Sequence, residues 1–260
     1  MGIINATPDS FYEGHLKAGR QQITDLAGKM INEGAAILDI GGLSTRPGSS
    51  AVSVQEETDR VLPVIESTHS AFPAMIISVD TYNSLVAKAA VAAGASIVND
   101  ISGGDMDTDM LATVAALQVP YICMHMQGMP ATMQLKPVYK NVVTEVLDFF
   151  IRKIGACKNA GIIDIIIDPG FGFGKTIEHN FELLKALRVL CEITGKPLLA
   201  GLSRKGTIYK TLGITAAEAL NGTTVLNTMA LLNGASILRV HDVKEAKEAI
   251  TLFNAYKKAP

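Results

Sequence analysis

Eight times along this chain of 260 residues, a short run of Ile, Val, Leu and Ala meets a polar residue and then gives way to a stretch with helical spacing. The runs are GIIN ending at Asn5, AAILDI holding Asp39, MIISVD ending at Asp80 and ASIVND ending at Asn99 and Asp100. They continue with VPYICM ending at Met124, IDIIID ending at Asp168, KPLLAGLS holding Gly201 and ASILRV holding Arg239. Near-continuous apolar runs are strands buried on both faces, as in a parallel sheet covered by helices. Four helical stretches stop at a glycine before the next strand, at Gly34, Gly94, Gly161 and Gly234, where positive φ costs glycine nothing. The recurrence predicts an α/β fold, a (β/α)8 TIM barrel forming a single domain over residues 1–260. A doubly wound open sheet is the rival, but TPDSF after the first strand is no nucleotide fingerprint.

Composition narrows the function. The chain is 48% apolar and 18% charged, with a net charge of −2, so it is expected to be globular rather than disordered. No basic run is present to hold a phosphate backbone, which argues against nucleic acid. No run of about 18 apolar residues and no basic, apolar leader occurs, so a soluble cytoplasmic protein is expected. Cys123, Cys157 and Cys191 are too sparse for a disulfide framework and wrongly spaced for zinc, and are expected to be reduced thiols.

Barrel enzymes build their sites at the C-terminal ends of the strands. Asn5, Asp39, Asp80, Asn99, Asp168, Lys205, Arg239 and His241 all fall at or just beyond strand ends, too many to be explained as helix caps. Asp242, with Glu245 three residues on, reads as a cap. The glycine-rich GFGFGKT, Gly170 to Thr176, has one residue too few for a phosphate-binding P-loop. Its glycines are expected to let the backbone approach a ligand or neighbouring loops. The polar loop GGLSTRPGSS, Gly41 to Ser50, reads as mobile surface or a lid carrying Arg46. His15, His69 and His179 are expected at the surface, and His125 is ambiguous. His241 enters the helix after the last strand, near the habitual phosphate site of such barrels. No cluster has transition-metal spacing, so any metal is expected to be magnesium held by few protein oxygens.

Taken in order, these segments resemble the dihydropteroate synthase family. GIINATPDSF is similar to its first-strand signature, GGLSTRPGS to its second loop, and SVDT and VNDISGG to its third and fourth strand ends. DPGFGFGK, GLSRK and RVHDV are similar to its sixth, seventh and eighth. The resemblance implies a transferase of folate biosynthesis and a sulfonamide target. Its reaction joins 6-hydroxymethyl-7,8-dihydropterin diphosphate to p-aminobenzoate, giving 7,8-dihydropteroate and diphosphate.

By the same resemblance, Asp80, Asn99, Asp168 and Lys205 line the pterin pocket, and Asn5 is the Mg2+ ligand. Thr45, Arg239 and His241 contact the diphosphate, while Arg46, Pro47, Phe171 and Lys205 border the aminobenzoate. Asp9 and Phe11 belong to a first mobile loop, and Asp9, Arg46 and Lys205 carry catalysis. A carboxylate such as Asp168 suits the two adjacent N–H donors of an amino-pyrimidine edge. Stabilised departure of diphosphate would leave a cation for the aniline nitrogen to attack, with loops closing against water. The resemblance also implies a homodimer, formed through the later helices. The family's hairpin before the first strand is expected to be missing, since Met1 starts on that strand, and Glu13 and His15 stand where the family has Asp-Gly-Gly. The alternatives are a methyltetrahydrofolate-dependent methyltransferase and a non-catalytic pterin-binding protein.

Overall fold

The computed structural model describes residues 1–6, 16–43, 52–129, 132–133, 135 and 137–260, with side chains in the first helix from residue 22 onward. Among the described residues eight parallel strands alternate with helices. In chain order they are β1 (Gly2–Asn5), α1 (Leu16–Asn32), β2 (Ile37–Gly41), α2 (Val54–Ala71), β3 (Ile76–Asp80), α3 (Ser84–Ala92), β4 (Ile97–Asp100) and α4 (Met110–Leu117). There follow β5 (Tyr121–Met124), α5 (Val142–Ala160), β6 (Ile165–Asp168), α6 (Ile177–Thr194), β7 (Leu199–Ala200), α7 (Gly206–Leu212), α8 (Leu220–Leu232), β8 (Ile237–Leu238) and α9 (Val243–Lys258). The short α7 has no counterpart in the eightfold sequence repeat.

Strands β1 to β6 form one sheet in chain order, and β7 pairs with β8 in a second. Two parallel bridges, Ile167 with Leu198 and Gly2 with Val240, join the sheets into a closed barrel. At these joints Ile167 N donates to the Pro197 carbonyl and Ile3 N to the Val240 carbonyl, both at 3.0 Å. The expected barrel is therefore observed. β7 and β8 are shorter than their apolar runs, and Gly201 and Arg239 lie just past their ends.

Side chains on a strand alternate between faces, and here the two faces are both apolar but unequal. Outward residues such as Leu38, Ile40, Ile77, Val79, Val98 and Ile167 pack under the helices in the main core. Inward residues Ile97, Ile122 and Leu199, with Ile37, Ile166 and Ile237, form a smaller cluster inside the barrel. The helices end as their glycines predict, with φ of 99° at Gly34, 118° at Gly94, 99° at Gly161 and 103° at Gly234. Ser53 and Asn141 cap α2 and α5 by accepting from the N–H groups of Glu56 and Thr144. All three cysteines are free, with Cys123 and Cys157 buried. Among the described residues no helix is long and apolar enough to cross a membrane.

Candidate active site

The strand period of two places the site. Moving two residues on from the inner apolar cluster, along the same face of each strand, gives Asp39, Asn99, Met124, Asp168, Gly201 and Arg239. Four of these six are polar, so the barrel interior changes from dry to hydrogen-bonding within one layer. β3 adds Ser78, in register with Asp39, and Asp80, in register with Gly41 and Asn99.

Arg239 joins the two sheets. Its Nε donates to Asp39 Oδ2 and its Nη2 to Asp80 Oδ2, each at 2.6 Å. Burial alone would pull the guanidinium down, but Asp39 and Asp80 outweigh it and hold it above its ordinary value. Burial also pushes the Asp80 carboxyl up to about 7, against the pull of Arg239, with Asp39, Asp100 and Asp168 adding to the rise. Asn99 Nδ2 donates to the same Asp39 oxygen at 3.0 Å. A carboxylate paired with arginine is an acceptor only, so this contact settles which end of the Asn99 amide faces Asp39. Asn99 Oδ1 is the end left for another partner.

Across the mouth, Asp168 Oδ1 accepts from Gly170 N at 2.8 Å. Burial raises the Asp168 carboxyl, while Lys205 and the Gly170 bond draw it back. Lys205 Nζ donates to the Phe171 carbonyl at 2.5 Å and lies 4.8 Å from the centre of the Phe173 ring. Its burial lowers the ammonium to about 8, with Asp168 opposing. His241 is exposed at the rim, its backbone N–H on Ser203 Oγ at 3.2 Å, and Asn5 ends β1 with its side chain exposed.

The structure thus brings Asp80, Asn99, Asp168, Lys205 and Arg239 to one mouth, with Asn5 and His241 at strand ends on its edge. Asp9, Phe11, Thr45, Arg46 and Pro47 lie outside the described residues, as do Glu13 and His15. One assigned side chain does not fit. The Phe171 ring has no exposed surface and belongs to the main core, so only its backbone carbonyl serves the mouth, and Phe173 supplies the aromatic face beside Lys205. Asp242 stands at the N-terminus of α9 but caps nothing with its side chain. Its two oxygens instead take Arg204 Nε and Nη2, both at 2.9 Å, because Arg204 reaches across from the β7 loop with φ at 52°. His179 is half-buried and closes the capping box of α6 with Thr176, rather than standing free at the surface.

The glycine loop approaches protein rather than phosphate. A Cβ on Gly170 would collide with the His125 carbonyl oxygen, and one on Gly174 with that of Gln127. His125 itself is buried against Lys175. Sequence reading missed three contributors: the anchoring role of Asp39, the Phe173 ring and the Arg204 clasp. The first was visible in the alternation, since Asp39 shares the inward phase of Ile37.

A closed barrel whose mouth presents buried carboxylates, an amide and a lysine among its described residues is built to hold a polar ligand by hydrogen bonds. The sequence profile of pterin binding enzymes matches residues 1–241, and the chain belongs to that family. It is 43% identical to the dihydropteroate synthase of Escherichia coli K12 over 257 residues, 98% of this chain and 90% of that one. The structure of Xanthomonas albilineans dihydropteroate synthase with 4-aminobenzoic acid superposes with a TM-score of 0.92 at 42% identity, covering 100% of this chain and 93% of that one. The same enzyme in complex with 7,8-dihydropteroate gives 0.89 at 40% identity, over 100% and 94%.

Proposed function

We infer that this chain is a transferase that condenses 6-hydroxymethyl-7,8-dihydropterin diphosphate with p-aminobenzoate, releasing diphosphate and 7,8-dihydropteroate. The observation that carries the reading is the Asp168–Lys205 arrangement at the mouth, in a chain so similar to dihydropteroate synthases along its length. Asp168 keeps acceptor capacity beyond its Gly170 bond, which suits adjacent N–H donors on an amino-pyrimidine edge. Lys205 donates from the other side, and Asn99 Oδ1 offers an acceptor of fixed direction. Two Arg239 donors are engaged by Asp39 and Asp80; those that remain, with His241 at the rim, are assigned to the leaving diphosphate. As the C–O bond breaks and its electron pair leaves with diphosphate, positive charge develops on the pterin methylene carbon and spreads into the ring; the aniline nitrogen then forms the new C–N bond and releases one proton. Asp9, Thr45, Arg46 and Pro47 are assigned to the loops that would shield this step and border the aminobenzoate. Phe171 contributes its carbonyl.

Mg2+ belongs to the same reading. Among the described residues no group of three His, Cys, Asp or Glu could hold a metal, and Asn5 offers a neutral exposed amide oxygen. That donor set fits a hard cation shared with diphosphate oxygens and water. When bound, the ion supplies neutralisation of charge on the leaving group. Folate synthesis in the cytoplasm and inhibition by sulfonamides accompany the assignment.

The test incubates the protein with both substrates, with and without magnesium, and follows dihydropteroate. Bound pterin without product would support a non-catalytic binder, and methyl transfer from methyltetrahydrofolate would support the methyltransferase. Asp168→Asn is expected to weaken pterin binding by about 1.5–3 kcal/mol, the worth of hydrogen bonds to a charged group. Titration calorimetry showing unchanged affinity would remove Asp168 from the pocket.

A homodimer is also part of the proposal. Val225, Met229 and Leu232 line one face of α8 at helical spacing and are each more than 40% exposed. An apolar stripe of this kind fits a second copy of the chain. Val225→Asp with Met229→Asp is expected to convert dimer to monomer in sedimentation. A monomeric wild type, or a dimer indifferent to both charges, would exclude this face.

A further inference from the structure

We propose that Lys175 is a positioning residue that presets Asp168 and Lys205 for pterin binding, acting through the loop between β6 and α6. The inference rests on the reading of Asp168 and Lys205 as pterin contacts.

The Lys175 side chain is only 3% exposed, and its ammonium sits among protein acceptors. Nζ lies 2.9 Å from His125 Nδ1 and donates to the carbonyls of Gly170 and Phe173 at 3.0 Å, with the His125 carbonyl at 3.3 Å. Burial draws the Lys175 ammonium down to about 7, with Asp168 opposing. In its protonated form the group has three protons and no lone pair, so His125 Nδ1 is then the acceptor and the neutral ring carries its proton on Nε2. Burial, and then the Lys175 charge, push the His125 pKa down, which favours that form.

The two loop carbonyls are the ends of one turn, closed by Phe173 N donating to Gly170 O at 3.0 Å. Between those ends the turn carries both groups that address the site. Gly170 N holds Asp168 Oδ1, and the Phe171 carbonyl holds Lys205 Nζ. His125 anchors the other side, because its own N–H extends the β5–β6 ladder onto the Asp168 carbonyl at 2.9 Å. One buried lysine therefore ties the end of β5 to the turn after β6 and sets the separation between the Asp168 carboxylate and Lys205. A lysine in this role reaches no ligand. It replaces the solvent that would otherwise satisfy carbonyls packed too closely to pair with one another.

The experiment measures 6-hydroxymethylpterin affinity by calorimetry, and the KM for p-aminobenzoate, in the full chain. Wild type, Lys175→Met, Asp168→Asn and the double variant are compared. Pterin binding to wild type first decides the underlying reading, and its absence would overturn that reading by itself. Given binding, Lys175→Met is expected to weaken pterin about 30-fold but only about 3-fold or less in the Asp168→Asn background, since residues acting through one another are not additive. The p-aminobenzoate KM is expected to rise as well, because the same turn holds Lys205, which is assigned to both substrates. Equal factors in both backgrounds, unchanged pterin affinity, or an unchanged p-aminobenzoate KM would each overturn the proposal. Lys175→Gln retains two donors and carries the same cycle if the methionine variant does not fold, with a smaller but still non-additive loss expected.

Discussion

Asp39→Asn is expected to destabilise the folded chain by about 3–5 kcal/mol in urea unfolding, the usual result of removing one partner from a buried ion pair. Asp39 is 0% exposed and accepts from both Arg239 Nε and Asn99 Nδ2. An amide in its place keeps the shape but removes the charge, leaving a guanidinium inside the barrel with Asp80 as its remaining bonded carboxylate. The carboxylate's restriction on the Asn99 amide disappears as well, because asparagine can accept or donate. Pterin affinity should therefore fall along with stability. A variant within about 1 kcal/mol of wild type would show that Asp80 alone suffices for Arg239.

Gly170→Ala is the second large effect expected, at about 3 kcal/mol or more. Gly170 has φ of 68°, where an L side chain costs about 1–2 kcal/mol. Its Cβ would also run into the His125 carbonyl oxygen, and overpacking of a rigid site adds about 1–3 kcal/mol. Gly195 provides the control. Its φ is 62°, but no atom lies within 4 Å of an added Cβ, so Gly195→Ala should lose only the conformational part. Equal midpoints for the two variants in thermal unfolding would mean that the β5–β6 contact yields freely.

Much of the fold was legible because barrel strands carry a simple signature. An apolar run buried on both sides, ending in a residue that cannot be buried unpaired, marks both the strand and the direction in which its open end faces. That is why Asp80, Asn99, Asp168 and Arg239 could be placed at one mouth from their positions alone. What the sequence concealed were contacts decided by tertiary approach. Phe171 and Phe173 are two residues apart in one glycine-rich loop, and nothing local says that the first turns into the core and the second toward Lys205. Asp242 has the residue type and spacing of a cap, yet it is taken by an arginine 38 residues away in the chain. Lys175 belongs to a motif that suggests phosphate, and only the packing of β5 against β6 shows that its partners are three carbonyls and the His125 ring. The loops bearing Asp9, Thr45, Arg46 and Pro47 lie outside the described residues.

The ring of staves is not uniform. Six strands form one sheet, β7 and β8 are a two-residue pair, and single bridges join the pieces on either side. The proposed ligand contacts divide along the same lines: Asp80, Asn99 and Asp168 stand on the larger piece, while Lys205, Arg239 and His241 follow the smaller. Arg239 to Asp39 and Asp80, and Lys205 to the Phe171 carbonyl, are thus fastenings across the joint. A ligand held between Asp168 and Lys205 would add another. Occupancy and closure then become linked equilibria, so that substrate acts as a hoop on the part of the barrel with the fewest backbone bonds of its own.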